Sequence, residues 1–148
     1  MHSFLIPIND SVSSRKMVDF LINMPVSMAD CHMTLLHVFR QPTSGEQLMG
    51  KKYMEELPVK HKALLEKVKD RLITEKHFPP GQIDIVLLTD PYPSVSEGII
   101  EFFKKGHYDM VVIGRKKMSK SEEFVLGDIS VKLVRSLDNT AILVVKTG

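Results

Sequence analysis

The chain has little of several features, and each shortage excludes a class of protein. Its 148 residues include a single cysteine, Cys31, which cannot form an internal disulfide, so we expect a reducing, cytoplasmic environment. The net charge of +2 is too small for the basic surface of a nucleic-acid-binding domain. No apolar run approaches the roughly 18 residues that a membrane span needs. We therefore expect no nucleic-acid partner and no membrane partner.

Motifs for catalysis and metal binding are also missing. Neither the histidines nor Cys31 show metal-ligand spacing, so we predict no metal site. The sequence contains no Gly-x-Ser-x-Gly elbow and no Walker phosphate loop. Cys31 precedes an apolar run, which favours a buried, inert thiol over a nucleophile. We predict no catalytic residues, and we interpret His37 as a core or sheet-end residue.

What the chain does have is an alternation of short apolar runs with helical patterns. The five runs cover residues 4–8, 33–39, 83–88, 110–113 and 141–145. Several are nearly continuous in Val, Ile and Leu, which is typical of strands covered on both faces of a parallel sheet. The alternation predicts one α/β domain over residues 1–148. We expect a doubly wound, Rossmann-like sheet of five parallel strands in the order 3-2-1-4-5.

Three local features refine this prediction. The helical pattern over residues 57–72 contains Pro58, where we expect an interruption. Ser94 and Glu97 fit a capping box at the start of the third helix. Residues 41–50 are rich in Gly, Pro, Thr and Ser, which indicates a mobile surface loop rather than a lid over a site.

A candidate ligand site follows from the predicted strand order. Such sheets bind ligands beyond the carboxyl ends of the strands, here at the switch point between strands 1 and 4. After strand 4 the chain runs through a glycine turn, three consecutive cations and a second glycine before a helix, which suits a phosphate at the helix N-terminus. The candidate binding residues are Pro7, Ile8, Asn9, Val38, Ile113, Gly114, Arg115, Lys117, Gly127, Asp128 and Ser130.

With these residues placed, the chain resembles the universal stress protein family over nearly its whole length. The resemblance lies in residues 4–11, in Leu35-Leu36-His37-Val38, in residues 108–114 and in residues 133–145. Members that bind ATP have a signature of Gly, two residues, Gly, nine residues, Gly and then Ser or Thr. Gly114 and Gly127 match its first and third glycines, with the nine-residue spacing kept.

The resemblance implies more than a sheet. It implies an adenine nucleotide alpha hydrolase-like fold, ATP or AMP as a ligand, and a homodimer that pairs strand 5 across a twofold axis. The apolar strand that would pair consists of Ala141, Ile142, Leu143, Val144 and Val145. An apolar edge strand of this kind needs a cover, which suits pairing with a second copy.

Three positions depart from the signature. Lys117 replaces the second glycine, Asp128 replaces the Ser or Thr, and Asn9 replaces the acidic residue that usually holds the ribose. Lys117 either obstructs the phosphates or supplies a cation to them. Asp128 can cap the following helix and so occupy the anion position itself. Repulsion of a phosphate about 5 Å away is roughly 3 kcal/mol, on the order of a hundredfold in affinity.

Two hypotheses for function stay open. In the first, the chain is a stress-response protein that acts by binding and keeps a degenerate adenine-nucleotide site. In the second, it is a ligand-free regulatory module in which Asp128 caps the helix, and residues 115–120 contact an acidic protein partner of unknown identity. A slow ATPase is a third, less favoured hypothesis, because no general base is visible near the predicted site.

Overall fold

The computed structural model describes residues 1–25, 27–122 and 128–148. Strands and helices alternate along this part of the chain. The strands are β1 (His2–Pro7), β2 (Cys31–Arg40), β3 (Ile83–Tyr92), β4 (Met110–Lys116) and β5 (Ala141–Thr147). The helices are α1 (Val12–Asn23), α2 (Ser44–Leu48), α3 (Lys51–Lys76), α4 (Val95–Lys104) and α5 (Ile129–Ser136), and a 3₁₀ turn spans Pro80–Gln82.

All five strands form one parallel sheet in the order β3-β2-β1-β4-β5, which confirms the predicted topology. β1 is the central strand, pairing with β2 on one side and with β4 on the other. The strand order reverses between β1 and β4, so their carboxyl ends diverge and leave a crevice. β3 is longer than its predicted run, because its backbone pairs with β2 as far as Tyr92.

Each face of the sheet has its own apolar core, as the near-continuous strand composition predicts. Ile6 of β1 packs in the cluster that contains α1 and α3, whereas its neighbour Leu5 packs in the cluster that contains α4 and α5. On β4, Val112 packs towards the first cluster, and Val111 packs towards the second. Successive side chains thus point to opposite faces, and both faces are covered.

Pro58 does not interrupt α3, so that expectation was wrong. The helix runs without a break from Lys51 to Lys76 and includes Pro58 in its interior. Proline removes one backbone donor and costs about 3 kcal/mol in a helix interior. Burial of Leu57, Leu65 and Leu72 along the same helix is worth roughly 1.5–3 kcal/mol each, which is enough to hold the helix together.

The segment that was predicted to be a loop, residues 41–50, contains a short helix. A capping box starts α2, because the Thr43 hydroxyl accepts from the Glu46 N–H and the Glu46 carboxylate accepts from the Thr43 N–H. Glu46 also pairs with Arg40, whose Nη2 lies 3.1 Å from Oε1. At the start of α4, the Ser94 hydroxyl accepts from the Glu97 N–H at 3.3 Å, which is one half of the predicted box. Among the described residues, no helix is both long enough and apolar enough to cross a membrane.

Candidate functional site

A cavity of about 640 Å³ lies at the carboxyl ends of β1, β2 and β4, and we call it the main cleft. Nine of the predicted site residues line it together: Pro7, Ile8, Asn9, Val38, Ile113, Gly114, Arg115, Asp128 and Ser130. Lys117 is not in the lining, and Gly127 lies outside the described residues. The volume falls within the roughly 300–1,000 Å³ of sites for small molecules. The role of these residues in ligand binding stays a prediction.

Asn9 is engaged in the turn that leads into α1. Its Oδ1 accepts from the Ser11 N–H at 3.0 Å, and its own N–H donates to the Ser14 hydroxyl at 3.1 Å. The Ser11 hydroxyl in turn caps α1 by accepting from the Ser14 N–H. The amide oxygen of Asn9 is therefore committed locally. An amide has one acceptor oxygen and one donor nitrogen, whereas a carboxylate would offer two acceptor oxygens.

Gly114 has a packing role that is independent of any phosphate. A Cβ atom at this position would lie 2.3 Å from the backbone oxygen of Ser13 and 3.2 Å from Cβ of Met17. Only glycine therefore lets β4 come this close to the first turns of α1. Helix–strand packing is therefore sufficient to explain the first glycine of the signature.

Asp128 occupies the N-terminus of α5. Its Oδ1 accepts from the Ser130 N–H at 3.0 Å and from the Ser130 hydroxyl at 2.6 Å, and its side chain is 9% exposed. Burial by itself would raise the pKa of Asp128. The Ser130 hydroxyl, the Arg115 charge and backbone N–H groups outweigh burial and hold this pKa below its ordinary value. The carboxylate is the helix cap that the second hypothesis requires.

The cations of the main cleft already have carboxylate partners. Arg115 Nη2 lies 2.7 Å from Asp128 Oδ2, and Arg40 pairs with Glu46. Lys116 Nζ lies 3.7 Å from a carboxylate oxygen of Glu122. The positive charges that could compensate for Asp128 are therefore partly neutralised before any ligand arrives.

Lys117 lies outside the lining of the main cleft and its ion pairs. Its backbone N–H donates to the Thr147 carbonyl at 2.9 Å, which continues the pairing of β4 with β5. Its Cβ lies close to Gly148, since a Cβ built on that glycine would be 3.1 Å away. The exposed side chain thus starts beside the end of β5, not in the lining of the main cleft.

Two histidines, whose contact was not predicted from the sequence, lie side by side in the main cleft. The rings of His37 on β2 and His61 on α3 have centroids 4.0 Å apart. His37 Nδ1 lies 2.8 Å from the Ile8 carbonyl oxygen, while His61 Nδ1 is buried and has no hydrogen-bond partner among the described residues. Burial lowers the pKa of both rings, so both are neutral at pH 7. The sequence does contain a sign that His61 faces the interior, because it falls between Leu57 and Leu65 on the buried face of α3.

Cys31 lies at the opposite end of the sheet from the main cleft. It is buried at the start of β2, as predicted, and desolvation raises the pKa of its thiol. A raised pKa favours the unreactive thiol over the thiolate. Within residues 1–25, 27–122 and 128–148, no cluster of three or more His, Cys, Asp or Glu side chains could hold a metal ion.

Both the sequence and the fold of this chain are similar to those of known proteins. The model of the Universal stress protein family matches residues 1–146. No curated protein sequence matches the chain. Several solved structures do match it. The structure of hypothetical protein MJ0577 has 17% sequence identity to this chain and a TM-score of 0.71, and the match covers 99% of this chain and 96% of that chain.

Two further structures carry the family name. A universal stress protein in complex with cAMP is 16% identical, with coverage of 97% and 95% and a TM-score of 0.63. UspA from Lactobacillus plantarum is 14% identical, with coverage of 97% of both chains and a TM-score of 0.62. At these identities the likeness establishes the shared Rossmann-like fold.

Proposed function

Because the chain belongs to the universal stress protein family, we propose that it acts by reversible binding of an adenine nucleoside or its monophosphate in the main cleft. One solved universal stress protein holds cAMP, which supports this class of ligand. The main cleft offers apolar walls from Ile8, Val38 and Ile113 for a base and sugar. Its three basic side chains are paired with carboxylates, which suits binding rather than turnover.

The Arg115–Asp128 ion pair carries the proposal. In a parallel α/β fold, a phosphate binds at a helix N-terminus because the orphan N–H groups and the helix dipole favour an anion. Here the Asp128 carboxylate already satisfies an N–H group of α5, and Arg115 already faces a negative charge. A triphosphate would bring several negative charges towards Asp128. We therefore propose that adenosine and AMP bind more tightly than ATP.

Calorimetry with adenosine, AMP and Mg-ATP tests this order. Asp128→Ser removes the carboxylate but keeps a capping hydroxyl, so α5 stays capped. We expect ATP affinity to rise on the order of a hundredfold in this variant, since roughly 3 kcal/mol of repulsion is removed. Adenosine affinity should not change. Asp138→Ser, which removes an exposed carboxylate just beyond the other end of α5, is the matched control.

The opposite result would refute the proposed order. If wild-type protein binds ATP as tightly as adenosine, Asp128 does not oppose phosphates, and the argument from the ion pair fails. If Asp138→Ser raises ATP affinity as much as Asp128→Ser does, the gain reflects net charge and not the anion position of α5.

A ligand-free regulatory module is the second candidate, and the neutralised cations favour it. Three ion pairs within the described part of the chain, Arg115–Asp128, Arg40–Glu46 and Lys116–Glu122, leave the main cleft without a strong positive field. Under this candidate, the wild type binds none of the three nucleosides and nucleotides, and Asp128→Ser gains binding. A reducing cytoplasm suits either candidate, because Cys31 is buried as a thiol.

We also propose a homodimer through β5. This strand is at the edge of the sheet, and among the described strands it pairs with β4 alone. An apolar strand with one unpaired edge favours a second copy of itself, and twofold pairing is the commonest arrangement.

A further inference from the structure

A second cavity adjoins the main cleft on the side of α1 and α3. Its volume is about 290 Å³, and we call it the α1–α3 groove. The two cavities share a wall that consists of Ile8, Asn9, Asp10 and Ser14. The remaining lining comes from the two helices: Arg15, Val18, Leu64, Lys67, Val68 and Arg71.

The charges of the α1–α3 groove differ from those of the main cleft. It is lined by three cations and one carboxylate, Asp10. Arg71 is committed to its neighbours, with Nη1 2.9 Å from Asp19 and Nε 2.7 Å from Glu75. Arg15 and Lys67 have no ion-pair partner among residues 1–25, 27–122 and 128–148. The groove therefore has two cations without such a partner, opposed by the single carboxylate of Asp10, beside a cleft whose cations are paired.

The rest of the groove is apolar except for two polar residues on the shared wall. Val18 and Val68 are 2% and 7% exposed, and Leu64 packs against the same core cluster. An anion with an apolar body would bury that body against these side chains while its charge stayed near the cations. Asp10, on the wall shared with the main cleft, disfavours an anion that extends from one cavity into the other.

We propose that the α1–α3 groove binds a small organic phosphate monoester, with its phosphate between Arg15 and Lys67 and its apolar group against Val18 and Val68. These two cations attract the double negative charge of a monoester phosphate and outnumber the one carboxylate of the lining, Asp10. The guanidinium fork of Arg15 suits two phosphate oxygens at once, and Lys67 supplies a compact charge. This site is separate from the nucleoside position in the main cleft and does not depend on it.

Phenyl phosphate is the probe, and the full chain is used. Calorimetry gives its affinity, and amide shifts of ¹⁵N-labelled protein give its position. Benzyl alcohol lacks the charge, and inorganic phosphate lacks the apolar body. We expect phenyl phosphate to bind at least about tenfold more tightly than either, a difference that one charge-assisted contact or one buried ring can supply. The shifted amides should be those near Arg15 and Lys67.

A matched pair of double variants tests the two cations. Arg15→Gln with Lys67→Gln removes both from the groove, and we expect at least about a tenfold loss of affinity for phenyl phosphate. Lys16→Gln with Lys62→Gln removes the same charge from exposed positions on the same two helices, neither of which lines the groove. This control should bind normally, and adenosine binding should be unchanged in both.

Several results would overturn the proposal. The wild type could fail to bind phenyl phosphate, or could bind inorganic phosphate or benzyl alcohol equally well. Equal losses in the two double variants would mean a diffuse charge effect and no built site. Amide shifts centred on Arg115 and Ser130 would place the probe in the main cleft. None of these outcomes bears on whether adenosine binds there, so the two proposals fail separately.

Discussion

Arg115 and Asp128 form an ion pair across the gap between the end of β4 and the start of α5, with Nη2 and Oδ2 2.7 Å apart. The pair places a carboxylate and its counterion where the fold would otherwise receive a phosphate. The same carboxylate caps α5 through Ser130. Under the proposed function, one side chain would affect both helix stability and ligand selection, and its role can be tested through either property.

Replacing Asp128 by alanine should destabilise the fold. The variant loses the cap of α5 and the partner of Arg115, so we expect the free energy of unfolding at pH 7 to fall by about 1–2 kcal/mol. Asp128→Ser, which retains a capping hydroxyl, should lose less. Urea denaturation of the two variants measures the difference, and equal losses would mean that the cap contributes nothing.

The same site gives a pH dependence with a definite sign. The pKa of Asp128 is lowered in the folded chain, so the unfolded state binds its proton first as the pH falls. Its contribution to stability is present above an unfolded pKa of about 3.9 and is lost as the pH falls through the lower folded value. When the free energy of unfolding is plotted against pH, the curve of Asp128→Ala should therefore approach that of the wild type in acid. Curves that stay parallel down to the acid transition would contradict this assignment.

Gly114→Ala should destabilise the chain through overpacking. The new methyl group would meet the Ser13 carbonyl, which belongs to the backbone and cannot rotate away, so we expect a loss of about 1–3 kcal/mol in urea denaturation. Gly81→Ala is the control, because a Cβ at that position meets nothing within 4 Å. A similar effect in the two variants would show that β4 does not pack on α1 as closely as described.

Protonation of the His37–His61 pair should weaken the fold in mild acid. Burial lowers both pKa values, so the unfolded state binds more protons as the pH falls below about 6.5. Their contribution is complete above the unfolded pKa and is lost as the pH falls towards the lower folded values. His61→Gln should flatten that part of the stability curve. His77→Asn replaces an exposed histidine with a residue that accepts its left-handed φ of 58°, and the slope should persist in that variant.

The edge position of β5 predicts a dimer in solution. Sedimentation equilibrium should give about twice the monomer mass of 16.8 kDa. Hydrogen exchange should show that the outer-edge amides of β5 become more protected as protein concentration rises, because those amides pair only in the dimer. A monomer mass across the whole concentration series would refute the homodimer.

The alternation of apolar runs and helical patterns is sufficient to predict most of the fold. Strands covered on both faces leave a composition that is visible locally, and short crossovers restrict the sheet to few strand orders. The same reasoning placed Pro7, Val38, Gly114 and Ser130 at the switch point. It missed the helix over residues 44–48 because Gly and Ser obscured a capping box. It also overestimated the helix-breaking effect of Pro58, since burial of the apolar side chains of α3 outweighs the free-energy cost of one proline.

The sequence by itself determined the five strands, most of the helices, the strand order and the position of the main cleft, because these depend on local periodicity and connection rules. Only the tertiary structure decided what the side chains in the cleft do. The pairing of Arg115 with Asp128, the contact of His37 with His61 and the fit of Gly114 against Ser13 join different elements. Such contacts depend on how helices pack on the sheet to within an ångström or so, and residue spacing along the chain carries no record of that.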